Sequence, residues 1–255
     1  MNGTGAIGIQ LHEGLATIKL GSGRRANSLG IRDWQALAAL FDDLAKDSSL
    51  RAVVLSGRGT VSFSAGSDMR EWLSAAPADI DASFAAMETA LTAIERLPVP
   101  VVAEVRGTAA GAGCQLACAC DLRIVASDAK IGMPIARWGI LVPPAFASRI
   151  ALLTGPAAAR DLLLTGRLVD GAEAARLGLA TASVPEAALE STTSALIASI
   201  TAHPPTAIRA AKRSIDTLLA PARERLRRLP AEPAADYDTL QRGLSAFLSR
   251  TITAG

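Results

Sequence analysis

The sequence predicts an α/β protein built from repeated strand–strand–helix units and closed by an all-helical tail. Three observations predict this. Two strand-like runs precede each helical stretch, at about 7–45, 52–96, 101–119 and, less clearly, 122–154. Doubly wound sheets alternate one strand with one helix, so two strands per helix mark a different arrangement. Beyond about residue 200 only helical patterns remain, which divides the chain into a ββα core, 1–200, and a helical C-terminal region, 201–255.

The elements follow in order. Ile7 to His12 and Leu15 to Leu20 form a hairpin around Glu13-Gly14. Gly21 to Asn27 is a basic, glycine-rich loop, and Ser28 can cap a helix with Trp34, Leu37, Phe41 and Leu44 on one face. Ala52 to Ser56 is a buried-strand run, and Phe63 to Asp68 a short strand and tight turn feeding a helix at Met69. Ile80, Phe84, Met87, Leu91 and Ile94 make an amphipathic helix that stops before Pro98 and Pro100. Val101 to Val105 is strand, Gly107 to Gly113 a loop, Cys114 to Ala119 helix and Leu122 to Ala126 strand. From Pro144 the chain is helical apart from extended pieces near Leu168 and Ala182 to Val184, with Asp170 capping a helix at Gly171. Pro185, Pro204-Pro205 and Pro221 separate the later helices, and Tyr237 to Arg250 is the last.

Composition excludes several function classes. Of 255 residues, 50% are hydrophobic and 20% charged, which fits a large core rather than a disordered chain. The net charge of +2 gives no argument for a nucleic-acid partner, and the cluster Arg223, Arg225, Arg227 and Arg228 reads as a solvated helix face. Apolar runs break well before the ~20 residues of a membrane span. Met1 to Gln10 lacks a signal-peptide pattern and Thr253-Ala254-Gly255 is no peroxisomal address, so the cytoplasm is expected. Cys114, Cys118 and Cys120 crowd one segment and read as small buried residues rather than a disulfide framework or metal site.

Two segments combine glycine, a strand end and a helix start: Phe63 to Asp68, and Arg106 to Gln115. Backbone N–H groups at such ends lack intrahelical partners. Two ends facing one cavity would form an oxyanion hole, which helps a thioester carbonyl most when its α-carbon loses a proton. Gly111 and Gly113 also suit simple close packing of helix on strand, and the spacing of Gly107, Gly111 and Gly113 is not the dinucleotide fingerprint.

The pair FSAGSDMREW (63–72) and RGTAAGAGCQLACACDLRIVASDAKIGMP (106–134) resembles the signature of the enoyl-CoA hydratase/isomerase, or crotonase, family. So do Arg24 to Leu29, Asp170 to Leu179 and Gly243 to Arg250, in the family's order. The resemblance implies a crotonase-like spiral of ββα repeats, an acyl-CoA substrate, no permanently bound cofactor and assembly as trimers or dimers of trimers. Carried over by position, it implies oxyanion donors at the N–H groups of Ser67 and Ala112, where an Ala with positive φ would be strained. Arg24, Arg25 and Ala26 fall where the family holds the CoA phosphates and adenine. Ala65, Ser67, Asp68 and Met69 fall along the pantetheine track, Gly111 and Trp138 beside the acyl end, and Phe247 and Arg250 on a helix covering the adenine.

The departures weigh against ordinary hydration. Gln115 and Ile135 replace the family's two catalytic glutamates, and Pro143 stands at a third acidic position. An amide trades no proton at neutral pH and Ile none at all. The remaining acids have structural readings: Asp68 as a helix cap, Glu71 on an exposed first turn, Glu104 in an ion pair and Asp128 in a turn. His12 and His203 lie away from the motifs, so Ser64 and Ser67 lack a partner for nucleophilic catalysis. Two functions remain: an enzyme that stabilises a thioester enolate, using a relocated acid such as Glu71 or Glu104 or a water held by Gln115, and an acyl-CoA-binding protein without turnover.

Overall fold

The computed structural model describes residues 7–230 and 232–252, without the side chains of 227 and 247–252. Four units run in sequence. The first is β1 (Ile7–His12), β2 (Leu15–Leu20) and α1 (Ile31–Leu44). The second is β3 (Ala52–Gly57), β4 (Ser62–Ser64) and α2 (Pro77–Arg96); the third is β5 (Val101–Val105), β6 (Thr108–Ala110) and α3 (Ala112–Ala119). The fourth is β7 (Leu122–Ala126), β8 (Lys130–Gly132) and α4 (Pro144–Thr165). Then come β9 (Leu168–Asp170), α5 (Gly171–Arg176), β10 (Ala182–Val184), α6 (Leu189–Thr201), α7 (Pro205–Arg227) and α8 (Tyr237–Ile252).

From the second unit to the fourth, the first strand joins a six-stranded sheet ordered β1-β2-β3-β5-β7-β10. The second strand joins a four-stranded sheet ordered β4-β6-β8-β9. Each repeat thus crosses from one sheet to the other before its helix, which is the spiral of ββα repeats that the resemblance implied. Pairing is parallel except in β1/β2 and β8/β9. β3 and β5 are buried throughout, as strands covered on both faces must be, and their sequences are accordingly almost unbroken apolar runs.

Several expectations need correction. Ser28 does not cap α1. Leu29 donates to the Gly66 carbonyl (2.8 Å) and is held extended against Ser67, so the helix opens later, at Gly30. Met69 opens only a four-residue 3-10 turn, Met69–Trp72, and the long helix starts at Pro77. The loop expected over Gly107 to Gly113 contains β6. Pro221 does not separate two helices: α7 runs through it, with Arg223 tied to Asp216 across that turn (3.2 Å). Leu240 and Leu244 are buried within the chain, where α8 packs on the turns at 69–72 and 136–138. On α7, Ile215 is 61% and Leu218 78% exposed. Among the described residues no helix is long and apolar enough to cross a membrane.

Candidate functional site

The β4 and β6 ends meet backbone to backbone, and two glycines permit it. A Cβ on Gly113 would sit 1.9 Å from the Ser64 carbonyl oxygen, and one on Gly66, whose φ is +94°, would sit 2.8 Å from the Ala112 nitrogen. The contact brings Ser67 and Ala112 to the wall of one cavity of about 210 Å³. Their N–H groups donate to no acceptor among the described residues. Ala112 is the first residue of α3, where an amide has no intrahelical partner. Gly111 (φ +57°) takes the left-handed conformation, so the strain foreseen for Ala112 does not arise. Ser67 follows a strand end rather than preceding a regular helix, so no helix dipole supports it.

The cavity is walled by apolar side chains, among them Trp72, Phe84, Met87, Met133, Ile135, Trp138 and Phe146. Arg137, stacked over Trp138 at 5.5 Å, is the one ionisable side chain among the described residues lining it. The Ser67 hydroxyl is buried there without a hydrogen-bond partner. Ala65, Met69 and Gly111 also line the cavity, whereas Asp68 does not.

Gln115 is fully buried and does not line the cavity. Its Nε2 donates to the Phe146 carbonyl (3.2 Å), while its Oε1 has no partner. Ile135 does line it, facing Gly111. Pro143 caps the start of α4 and borders a larger neighbouring chamber. The candidate replacement acids are engaged elsewhere. Asp68 pairs with Arg25 (2.8 Å) and accepts from the Arg70 amide (3.2 Å). Glu71 lies exposed in the first turn of Met69–Trp72, as expected, and accepts from the Ile31 amide at the start of α1 (2.9 Å). Glu104 is buried against Arg106 (3.3 Å). Ser64 donates to the Asn27 carbonyl (2.8 Å) and accepts from the Gly66 amide (3.0 Å), a structural role.

The loop before α1 holds a feature that sequence reasoning missed. Arg25, Ala26 and Asn27 are all left-handed, with φ of 50°, 49° and 56°. Each such residue costs roughly 1–2 kcal/mol, so the loop must be held from outside. The buried Asn27 side chain does this. It accepts from the Gly23 amide (2.9 Å) and donates to the carbonyls of Arg58 (3.0 Å) and Ser62 (2.8 Å), while the Ala65 amide donates to the Ala26 carbonyl (2.8 Å). The available signal was Asn itself, which tolerates this conformation, within a glycine-rich stretch. The loop leaves Arg24 and Arg25 exposed beside β4. The side chains of Phe247 and Arg250 lie outside the described residues.

A profile of the enoyl-CoA hydratase/isomerase family matches residues 10–251. A crystal structure of an enoyl-CoA hydratase/carnithine racemase from Magnetospirillum magneticum is 32% identical, covering 97% of this chain and 94% of that one, with a TM-score of 0.81. The enoyl-CoA hydratase of Bacillus anthracis is 30% identical over 83% of this chain and 82% of that one, with a TM-score of 0.79. The short-chain-enoyl-CoA hydratase of Clostridium acetobutylicum is 28% identical, covering 79% of this chain and 77% of its own.

Proposed function

Because the chain belongs to the enoyl-CoA hydratase/isomerase family, we propose that it binds an acyl-CoA thioester and stabilises the thioester enolate with the N–H groups of Ser67 and Ala112. The observation that carries this reading is the pair of unpartnered amides on the wall of an apolar cavity. Each donor of this kind is worth about 3–4 kcal/mol when negative charge moves onto the carbonyl oxygen in a site that excludes water. Arg24 and Arg25 supply charge for the CoA phosphates, and the left-handed loop presents them toward solvent beside the cavity.

Of isomerisation, hydration and decarboxylation, the last asks least of this cavity. Loss of CO₂ from a carboxylated α-carbon passes its electron pair into the thioester without an enzyme base, and water can then protonate the enolate. Hydration and isomerisation need a proton carrier, and no carboxylate or His lines the cavity among the described residues. The same observation favours the second reading, acyl-CoA binding without turnover. Three unpaired buried cysteines fit a reducing cytoplasm. Assembly as trimers or dimers of trimers would cover the exposed Ile215 and Leu218 of α7.

The test is a panel of enoyl-CoA and malonyl-type CoA thioesters, followed by thioester absorbance and CO₂ release, with calorimetry for affinity. Binding with enolate-type turnover supports the enzyme. Tight binding without turnover supports the second reading, and no binding overturns both.

A further inference from the structure

Ser67 carries a hydroxyl that the enolate reading leaves unused. Its oxygen is buried, the residue lines the thioester cavity, and no described residue hydrogen-bonds it. A hydroxyl shut away from water without a partner is unfavourable, and an alanine would fill this place without that penalty. Three other buried side-chain atoms share this state: Trp34 Nε1, Ser56 Oγ and Gln115 Oε1. None of those residues lines the cavity. Among the described residues, only Ser67 combines an unpartnered buried group with a place on the cavity wall.

The backbone around this hydroxyl is pinned on both sides. Leu29 donates to the Gly66 carbonyl and accepts from the Asp68 amide, both at 2.8 Å. That parallel bridge holds the residues flanking Ser67 and turns the N–H of Ser67 itself away from Leu29. The preceding turn is held as well: the Gly66 amide donates to Ser64 Oγ (3.0 Å), which donates to the Asn27 carbonyl (2.8 Å). Within one serine, the nitrogen and Oγ are gauche in two of the three staggered rotamers, and both donors then reach a single acceptor. An oxygen that accepts from the Ser67 amide therefore lies within reach of the Ser67 hydroxyl.

We propose that the Ser67 hydroxyl is a third donor to the thioester oxygen, beside the amides of Ser67 and Ala112. The hydroxyl keeps its proton throughout, so it needs no neighbouring base, and none lines the cavity among the described residues. Its hydrogen bond strengthens as the α-carbon gives up its electron pair and negative charge moves onto the oxygen. The pinned backbone sets this donor in place before the charge develops. The inference rests on the enolate reading above and adds a side-chain donor to it.

The probe is 3-oxobutyryl-CoA, whose acidic α-carbon releases a proton to water to give an enolate that absorbs in the near ultraviolet. The enolate-to-keto ratio of the bound ester, followed across pH, reads stabilisation of the oxygen charge without any turnover. Wild type should favour the enolate over the free ester in water. Ser67→Ala keeps the amide and removes the hydroxyl, so the ratio should fall about tenfold, the size of a hydrogen bond to a charged group. Ser67→Thr restores a hydroxyl and should recover most of the ratio. Because no described residue bonds the hydroxyl, Ser67→Ala should leave the urea midpoint of the free protein unchanged or higher. An unchanged ratio in Ser67→Ala, an equal loss in Ser67→Thr, or a lower urea midpoint for Ser67→Ala overturns the third donor and leaves the amide reading standing. A wild-type ratio equal to that of the free ester overturns both.

Discussion

Replacing Gln115 by Glu places a carboxyl where the family resemblance implies an acid, but the structure predicts that it stays protonated. Gln115 is fully buried, its one good hydrogen bond runs to the Phe146 carbonyl, and its Oε1 has no donor nearby. A neutral carboxyl can reproduce that bond by donating its O–H to Phe146. A carboxylate would instead face the carbonyl oxygen, unpaired and away from water. Keeping the acid protonated at pH 7, against an ordinary pKa of about 4.3, costs about 3.7 kcal/mol at about 1.36 kcal/mol per pH unit.

The sign follows from the raised pKa of the folded state. The penalty is absent below the unfolded pKa, grows as pH rises and levels off at the folded pKa. Urea unfolding of wild type and Gln115→Glu should therefore show a difference of about 1 kcal/mol at pH 5 and nearly 4 kcal/mol at pH 7. A difference that is the same at both pH values would refute the reasoning, because it would mean that the carboxylate finds a partner in the fold.

Other perturbations test the remaining supports. Asn27→Ala strands the Gly23 amide and the carbonyls of Arg58 and Ser62; at about 1 kcal/mol each, unfolding should report a loss near 3 kcal/mol, with weakened CoA-ester binding. Arg149→Met leaves Glu88 without its cation and Glu95 with only Arg223, at 3.9 Å. The Glu88 side chain is 37% exposed, so the loss should fall at the lower end of the usual range for a broken buried pair, about 3 kcal/mol by chemical denaturation. Arg24→Ala combined with Arg25→Ala should weaken CoA-ester affinity and flatten its salt dependence, and equal affinity for wild type and variant at low and high salt would count against the phosphate placement. Light scattering at micromolar concentration should show trimers or larger, and a monomer would contradict a covered α7 face.

Legibility in the sequence followed the strength of the local signal. AVVLS and VVAEV announce β3 and β5 because strands covered on both faces need unbroken apolar runs. β6 and β8 are three residues each, Thr-Ala-Ala and Lys-Ile-Gly, and their pairing comes from neighbouring strands rather than their own propensity. The glycine-rich turns holding Gly66 and Gly113 pointed to the amide pair, since only a residue without a side chain allows those backbones to approach so closely. Where Gln115 points depends on how deeply α3 sinks behind Met133 and Phe146, which no local pattern encodes. The cluster of Arg149 with Glu88 and Glu95 joins residues 54 and 61 positions apart, and each of them alone reads as an ordinary helix charge.

The central claim is that a thioester carbonyl sits between the Ser67 and Ala112 amides. The direct measurement is the infrared stretch of a ¹³C-labelled thioester carbonyl bound to the protein, in wild type and in Ala112→Pro. Proline at the first position of a helix removes one N–H with little disturbance to the helix. The account predicts a carbonyl shifted to lower frequency than in water, with much of that shift lost in Ala112→Pro. A bound carbonyl at its aqueous frequency, or a shift that Ala112→Pro leaves intact, would contradict it.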